Sequence, residues 1–468
     1  MMEATPIDDK FRERKMNRYT VSELYKQLET MNLRSGIFER KPNNKVDCKD
    51  VEERTDNKVT ELNSSQISVL QGSMKIIYAI GICMGLYPVT GLFQQDITKI
   101  RFSFRTWIAA YSLLMCSAQV LSAVICLYRL LSKPLALSTI IFACFYISTS
   151  MTCVSCIKIA SRWPELICEL YNLELDEYVE IRNKFKCVII STCYILICLG
   201  LHVLRILDRM KGVIECFGGD IDILKSYCDV IYPWLNEFGL PRNQFIHIFL
   251  TIFNSMTFMI WLYADLFIIC VSLFLSSIFH RLNDKIISTE GKSFSSDYWR
   301  RLREDYNRVT SLIRLFDEVI GCLIFSTFTS NLFFVCFQIY YILSNGVKTT
   351  QIINICYVIF SFPHEHEHSV YFITMAVFVS TRYLLVALCI SEINSASLVT
   401  LPYLYDSETS VFCPEMRRFI DQMHGETVAL TGLNFFYVTR EFVLSIFQTI
   451  ITYELVLLQL RKESIKLL

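Results

Sequence analysis

The sequence predicts an all-α, polytopic membrane protein with seven transmembrane helices. Hydrophobic residues make up 53% of the 468 residues, phenylalanine alone numbers 34, and charged residues account for only 19%. This is more apolar surface than one soluble core of this size needs. The apolar residues are also collected in long runs, as expected for helices that are buried in lipid.

Residues 1–70 are predicted to form a cytoplasmic tail. They are polar, with scattered charges, and only the stretch from Tyr19 to Leu33 suggests a short amphipathic helix. A segment this polar buries too little apolar surface to fold by itself. The first residues are charged rather than apolar, so we expect no cleavable signal peptide and insertion through internal segments.

Residues 73–93 are apolar but are interrupted by three glycines and Pro88. The segment is long enough to span the membrane, yet these glycines and the proline favour a re-entrant or interfacial segment. We therefore expect this segment to enter the membrane from the cytoplasmic side without crossing it.

Seven longer runs follow, and each comes close to or passes the roughly twenty residues that a helix needs to cross a bilayer. They are Trp107–Leu131, Leu137–Ala160, Cys187–Leu207, Phe245–Ile278, Val319–Leu343, Val370–Ile393 and Phe442–Leu460. The predicted transmembrane regions are thus 101–278 for helices 1–4, 318–395 for helices 5 and 6, and 434–462 for helix 7.

The distribution of lysine and arginine predicts a cytoplasmic N-terminus and an external C-terminus. Basic residues are concentrated in the loops after the second, fourth and sixth runs, and the opposite loops are leaner. Positive loops stay on the cytoplasmic side. This orientation is the reverse of a G-protein-coupled receptor, which is one alternative interpretation. A membrane transporter is the other, but transporters commonly show internal repeats, and we see none here.

Two cytoplasmic regions, 279–317 and 396–433, are predicted to act as an anchor. Five apolar residues in the first region recur at helical spacing, with arginines on the opposite face. They are Leu302, Tyr306, Val309, Ile313 and Phe316. This helix either packs into a cytoplasmic bundle that joins subunits or lies on the inner leaflet.

The last run carries polar residues inside a segment that is otherwise suited to lipid. Glu454 and Gln459 are such residues, and polar groups are costly in hydrocarbon unless they face protein or water. Thr452, Val456, Gln459 and Leu460 share one stripe of the helix. Several copies of this helix around an axis would line a pore.

This run also resembles a known signature. The sequence Thr452-Tyr453, five mostly hydrophobic residues, then Gln459 is similar to the motif that closes the last helix of insect gustatory receptors. Leu460 stands where phenylalanine is usual, and Glu454 is typical of the sugar-receptor branch. The stretch from Thr427 to Gly432 resembles the same branch.

The resemblance implies a sugar-gated, non-selective cation channel that serves as a sweet-taste receptor. It implies four subunits, identical or mixed with other gustatory receptors, around one pore in the plasma membrane of sensory neurons. Gln459 would lie near the outer end of the pore, and Val456 and Leu460 would form a hydrophobic gate.

Asp265, deep in the fourth run, is the first candidate ligand residue, because a carboxylate within a membrane helix usually serves function. Trp261 lies four residues earlier on the same face. An aromatic ring beside a carboxylate suits a sugar, whose C–H bonds stack while its hydroxyls donate. The alternative is that Asp265 pairs with Arg382 or Arg205 only to hold helices together.

The other candidate ligand residues are His202, Asn331 and Arg382. His202 shares a helix face with Arg205, and Arg382 and Asn331 resemble residues of the sugar branch. Arg382 would bind hydroxyls or neutralise Asp265. His202 is alternatively a hydrogen-bonded core residue.

The cysteines do not indicate a metal site. Most of the 19 lie in apolar runs, where they serve as small hydrophobic residues. Cys153 and Cys156 form one CxxC pair, without the second pair that a zinc site needs. Cys216 and Cys228 lie in a predicted external loop, where they either form a disulfide or remain thiols.

The remaining features predict no cofactor, no metal and no enzyme activity. The alternating histidines of 363–368 are interpreted as a solvated external loop rather than a metal site. The sequence has no phosphate-binding loop and no hydrolase or metalloprotease motif. Its net charge is zero, so no nucleic-acid partner is expected.

Overall fold

A computed structural model describes residues 64–94, 99–132, 137–217, 243–289, 294–345, 365–406 and 413–467, with isolated positions between 225 and 239. The helices are α1 Ser64–Cys83, α2 Trp107–Ser132, α3 Leu137–Asn172, α4 Ile181–Phe217, α5 Trp234–Glu237, α6 Gln244–Ile287, α7 Ser296–Asn345, α8 Glu365–Leu398, α9 Leu401–Tyr405, α10 Pro414–Gly425 and α11 Arg440–Leu467. Two short antiparallel strands, β1 Val89–Thr90 and β2 Arg101–Phe102, join α1 to α2.

Among these residues, six helices are long and apolar enough to cross a membrane. They are α2, α3, α4, α6, α7 and α8, which correspond to the first six predicted runs. The chain is therefore mostly helical and multi-pass. The seventh predicted run lies inside α11, which is 28 residues long, and its crossing of the membrane stays a prediction.

Helix α6 forms the centre of the bundle. It is 44 residues long, and it is buried on all sides over its middle stretch, where Ile268 to Val271 have no exposed surface. A helix that is apolar all round has to be surrounded by other elements. Helices α1, α3, α4, α7 and α8 all pack against it, whereas α2 keeps residues such as Leu114 and Leu121 exposed, as expected of a surface that faces lipid.

The predicted boundary at residue 70 is too late, because α1 already begins at Ser64 and Leu70 is completely buried. Helix α1 ends at Cys83, the chain turns through Gly85 into β1, and Gly91 directly follows β1; both glycines have positive φ. The predicted re-entrant segment 73–93 is therefore part helix and part turn. How it lies relative to the membrane remains a prediction, and the predicted tail before Ser64 lies outside the described residues.

The predicted boundary between the anchor region 279–317 and the transmembrane region 318–395 does not separate two helices. Helix α7 runs without interruption through Asp317 for 50 residues. It contains no proline to break it, and Gly321, one turn beyond Asp317, does not end it. At about 1.5 Å per residue, such a helix is far longer than a bilayer is thick. Helix α7 therefore connects the membrane bundle directly to the region that the sequence assigns to the cytoplasm.

The predicted apolar stripe of α7 is buried inside this chain. Tyr306 packs edge-on against Phe419 of α10, with 5.4 Å between ring centroids, and Leu302, Val309 and Ile313 are each 1% exposed. The stripe therefore contacts protein rather than an inner leaflet. Whether the anchor also joins subunits stays a prediction.

A second contact near this part of α7 holds the segment between α3 and α4 in place. The Tyr178 hydroxyl donates to Asp305 of α7 over 2.5 Å, and Lys285 of α6 lies beside both groups. Burial and this hydrogen bond raise the pKa of Tyr178 well above its ordinary value. The tyrosine therefore stays neutral at physiological pH and acts as a donor.

Candidate functional site

The site is centred on the carboxylate of Asp265, which α6 places in the middle of the bundle. Its side chain has no exposed surface. Arg382 of α8 forms an ion pair with it, with 2.6 Å between Nε and Oδ2, and the Arg382 side chain is only 1% exposed. A buried charge is tolerated only when it is paired and hydrogen-bonded, and Arg382 supplies the countercharge.

Two further helices contribute hydrogen bonds to this carboxylate. Asn331 of α7 donates from Nδ2 to Oδ1 of Asp265 over 3.0 Å, and its own side-chain oxygen accepts a bond from Arg382. Tyr194 of α4 donates its hydroxyl to Oδ2 over 3.2 Å. Helices α4, α6, α7 and α8 thus meet at one carboxylate, which stabilises their relative positions.

Trp261 covers the ion pair from one helical turn away. The guanidinium carbon of Arg382 lies 3.7 Å from the Trp261 ring centroid, a close cation–π contact. The indole N–H donates to Ser330 Oγ over 3.2 Å. Nη1 of Arg382 has no hydrogen-bond partner among the described residues. The cluster therefore combines an aromatic face with one spare buried donor.

An aromatic wall extends from Trp261 away from the ion pair. Phe334 lies 4.9 Å and Phe145 5.9 Å from the tryptophan ring, both edge-on. Phe258 lies 6.0 Å from it on the same helix. Such rings offer apolar faces beside the charged pair.

His202 belongs to a neighbouring cluster rather than to the ion pair itself. Its ring stacks on Phe258 at 4.9 Å, and Arg205 lies 4.2 Å over the same ring. His202 Nδ1 and the Arg205 guanidinium are 3.3 Å apart. Phe258 and Trp261 therefore connect this pair to Asp265.

The structure thus brings together four of the five predicted ligand residues: Trp261, Asp265, Asn331 and Arg382. It also adds Tyr194 and Ser330, which the sequence did not single out. Tyr194 lies in an apolar run with no local pattern that points to Asp265. Ser330 directly precedes the predicted residue Asn331, and this adjacency is the one sequence feature that could have indicated it.

A second polar network, also missed, lies one turn from Trp261. Gln119 of α2 donates to Thr257 over 2.8 Å and accepts from Thr149 of α3 over 3.1 Å. All three side chains are buried. The network joins α2, α3 and α6 next to the aromatic wall, and its residue types carry no distinctive sequence pattern.

Helix α11 presents most of the predicted pore stripe away from the protomer. Thr452, Val456 and Gln459 are exposed, and the Thr452 hydroxyl is bonded back to the carbonyl of Gln448. Leu460 lies within α11, but its side chain is outside the described part of the structure. The stripe is thus available to a neighbouring subunit or to water.

Two further predictions fall partly outside the described residues. Cys228 is buried, with its thiol 3.4 Å from the carbonyl oxygen of His247. Cys216 lies in α4, but its side chain is outside the described part of the structure. The disulfide between them stays a prediction. Of the histidine-rich stretch 363–368, residues from Glu365 onward begin α8 rather than forming a loop.

Comparisons with known protein sequences all identify receptors as similar to this chain. A family model described as "Trehalose receptor" matches residues 52–467. Relatives include the Drosophila melanogaster gustatory receptor for sugar taste 64f, with 27% identity over 392 residues, covering 81% of this chain and 78% of that protein. The Drosophila melanogaster gustatory receptor 5a for trehalose is 26% identical over 408 residues, covering 83% and 84%.

A solved structure shares the fold. The insect olfactory receptor OR5 from Machilis hrabei superposes with a TM-score of 0.56 at 14% sequence identity, covering 83% of this chain and 97% of that one. The proteins named in these comparisons are receptors rather than enzymes.

Proposed function

We propose that this chain, which belongs to the trehalose receptor family, is a sugar-gated, non-selective cation channel that acts as a gustatory receptor. Two named relatives are receptors for sugar taste and for trehalose. The observation that carries the proposal is the buried Asp265–Arg382 pair beneath the Trp261 ring. We place the protein in the plasma membrane of sensory neurons.

The sugar is proposed to bind among His202, Trp261, Asp265, Asn331 and Arg382. A sugar offers hydroxyls that donate to a carboxylate and accept from a guanidinium, and Nη1 of Arg382 has a donor to spare. Its C–H face stacks on an aromatic ring such as Trp261. Because the charged side chains are almost fully buried, the ligand reaches them only when the surrounding side chains move.

The pore is proposed to form where four α11 helices meet, in a homotetramer or in a heterotetramer with other gustatory receptors. The exposed positions of Thr452, Val456 and Gln459 support this arrangement. Val456 and Leu460 would form a hydrophobic constriction that closes by dewetting. A sugar opens the pore only if it binds the open state more tightly than the closed one.

The proposed topology has seven crossings, a cytoplasmic N-terminus and an external C-terminus. Segment 73–93 enters from the cytoplasmic side, and 279–317 with 396–433 form the anchor between subunits. The contact between Tyr306 of α7 and Phe419 of α10 supports the anchor, because it ties the two regions together.

Whole-cell recording tests the proposed activity. The chain is expressed alone and with a second gustatory receptor subunit, and currents are measured against a panel of mono- and disaccharides. We expect an inward cation current for at least one sugar. Normal surface expression without sugar-evoked current in either case would contradict the proposal.

A further inference from the structure

Glu454 is buried on a helix whose neighbouring residues are exposed. It is 5% exposed, whereas Tyr453 is 67% and Leu455 is 55% exposed. Val443 and Ile450 are the other buried residues among the side chains of α11 that the structure describes, and their spacing places all three on one stripe. Glu454 therefore occupies the face by which α11 packs on its own protomer, opposite to the proposed pore face.

This carboxylate is poorly accommodated there. Its Oε2 atom has no hydrogen-bond partner among the side chains that the structure describes, and neither has the buried hydroxyl of Tyr383 on α8. Cys336 of α7 lies within electrostatic range of both groups. A buried polar atom without a partner is unfavourable compared with the same atom in water.

The same junction adjoins the proposed ligand site. Tyr383 directly follows Arg382 in α8, and its ring lies 6.1 Å from Phe447 of α11. Cys336 lies on α7, little more than a turn beyond Asn331. Two of the helices that hold the Asp265 carboxylate, α7 and α8, therefore also contact α11, and Tyr383 does so at Phe447, two turns before Glu454 on the same side of the helix.

We propose that Glu454 is a positioning residue for gating, which destabilises the packed position of α11 so that a small movement of α7 and α8 releases the pore helix. Water solvates the carboxylate once α11 moves away, and the free energy lost on burial is recovered. This role rests on the proposed channel function. It assigns to Glu454 a part in opening the pore and none in contacting the sugar.

The test compares Glu454→Leu with wild type in sugar dose–response recordings. Leucine removes the carboxylate with its unpartnered Oε2 and favours the packed position, so the half-maximal sugar concentration should rise about tenfold and the basal current should fall. Glu454→Gln keeps a buried polar group and should shift the half-maximal concentration by less. Tyr383→Phe removes the second unpartnered oxygen and should shift it in the same direction as Glu454→Leu.

The matched control is Glu441→Leu, the same change at an exposed position of the same helix, which should leave the dose–response curve in place. Surface biotinylation is measured for every variant. An unchanged half-maximal concentration in both Glu454→Leu and Tyr383→Phe would overturn the inference, as would a raised basal current or an equal shift in Glu441→Leu. Absence of sugar current in the wild type would instead contradict the proposed function.

Discussion

At the scale of single residues, the buried ion pair is the feature that most constrains this protein. Asp265 and Arg382 are both almost fully buried, and removing one partner leaves an uncompensated charge. Loss of sugar response in a single mutant would therefore not separate ligand binding from structural support. The two interpretations that the sequence leaves open need a double substitution.

We expect Asp265→Ala to lower surface expression, because Arg382 is then left buried without a countercharge, at a cost of about 3–5 kcal/mol. The double variant Asp265→Leu with Arg382→Leu removes both charges and should restore surface expression, measured by biotinylation. If the pair binds sugar, this double variant gives no sugar-evoked current in whole-cell recording. A normal dose–response curve in the double variant would assign the pair a structural role only.

The sequence predicts part of this site and not the rest, for physical reasons. Trp261 and Asp265 are four residues apart on one helix, so their proximity follows from helical geometry alone. Arg382 and Asn331 come from other helices. The resemblance pointed to both, and opposite charge pointed to Arg382 as one of two possible partners of Asp265. Tyr194 was missed because its contact with Asp265 depends on how α4 packs on α6.

At the scale of elements, the turn before α11, residues 431–436, is held by hydrogen bonds to α7 and has a strained backbone. Asp317 of α7 accepts hydrogen bonds from the backbone N–H and the hydroxyl of Thr431. Leu433 and Asn434 follow with φ of 53° and 60°, a region that disfavours leucine. A Cβ on Gly432 would lie 2.3 Å from the ring of Phe436, so glycine is needed there.

Leu433→Gly is expected to stabilise the fold by about 1 kcal/mol, because glycine adopts positive φ without the leucine's steric penalty. Leu433 is 42% exposed, so little packing is lost. Thermal unfolding in detergent measures the effect. The control Leu444→Gly, at an exposed position inside α11, should destabilise by about 1 kcal/mol; equal effects at both positions would contradict the assigned strain.

The pore stripe gives a second prediction at this scale. Leu460 is less bulky than the phenylalanine that is usual in gustatory receptors, so the proposed hydrophobic constriction would be wider. We expect the Leu460→Phe variant to have a smaller basal leak than the wild type, measured in patch recordings without sugar. Equal leak at matched surface expression would count against Leu460 as part of the gate.

Elements were predicted unequally well. Hydrophobic runs located the beginnings of α2 and α3 at Trp107 and Leu137, because lipid imposes a minimum apolar length. Continuity through Asp317 was not predicted, because the fifth apolar run begins at Val319 and the region up to Asp317 was assigned to the cytoplasm. The hydrogen bonds that satisfy the Asp317 carboxylate inside the helix come from Thr431, more than a hundred residues away in the chain. A local sequence pattern does not predict such a contact.

At the scale of the whole molecule, topology is the decisive prediction. Epitope tags at the two ends should be recognised differently on intact cells: a C-terminal tag is stained without permeabilisation, and an N-terminal tag only after it. This expectation combines the predicted odd number of crossings with the predicted cytoplasmic position of the basic loops. Staining of the N-terminal tag alone on intact cells would instead indicate the orientation of a G-protein-coupled receptor.

The central position of α6 has a consequence for how the protein is made. During synthesis, this helix leaves the ribosome carrying an acid whose basic partner on α8 does not yet exist. Two more helices must be inserted before the charge is neutralised, and until then neither lipid nor α4 alone satisfies it. We therefore expect α6 to stay at the translocon, away from lipid, until α8 is inserted.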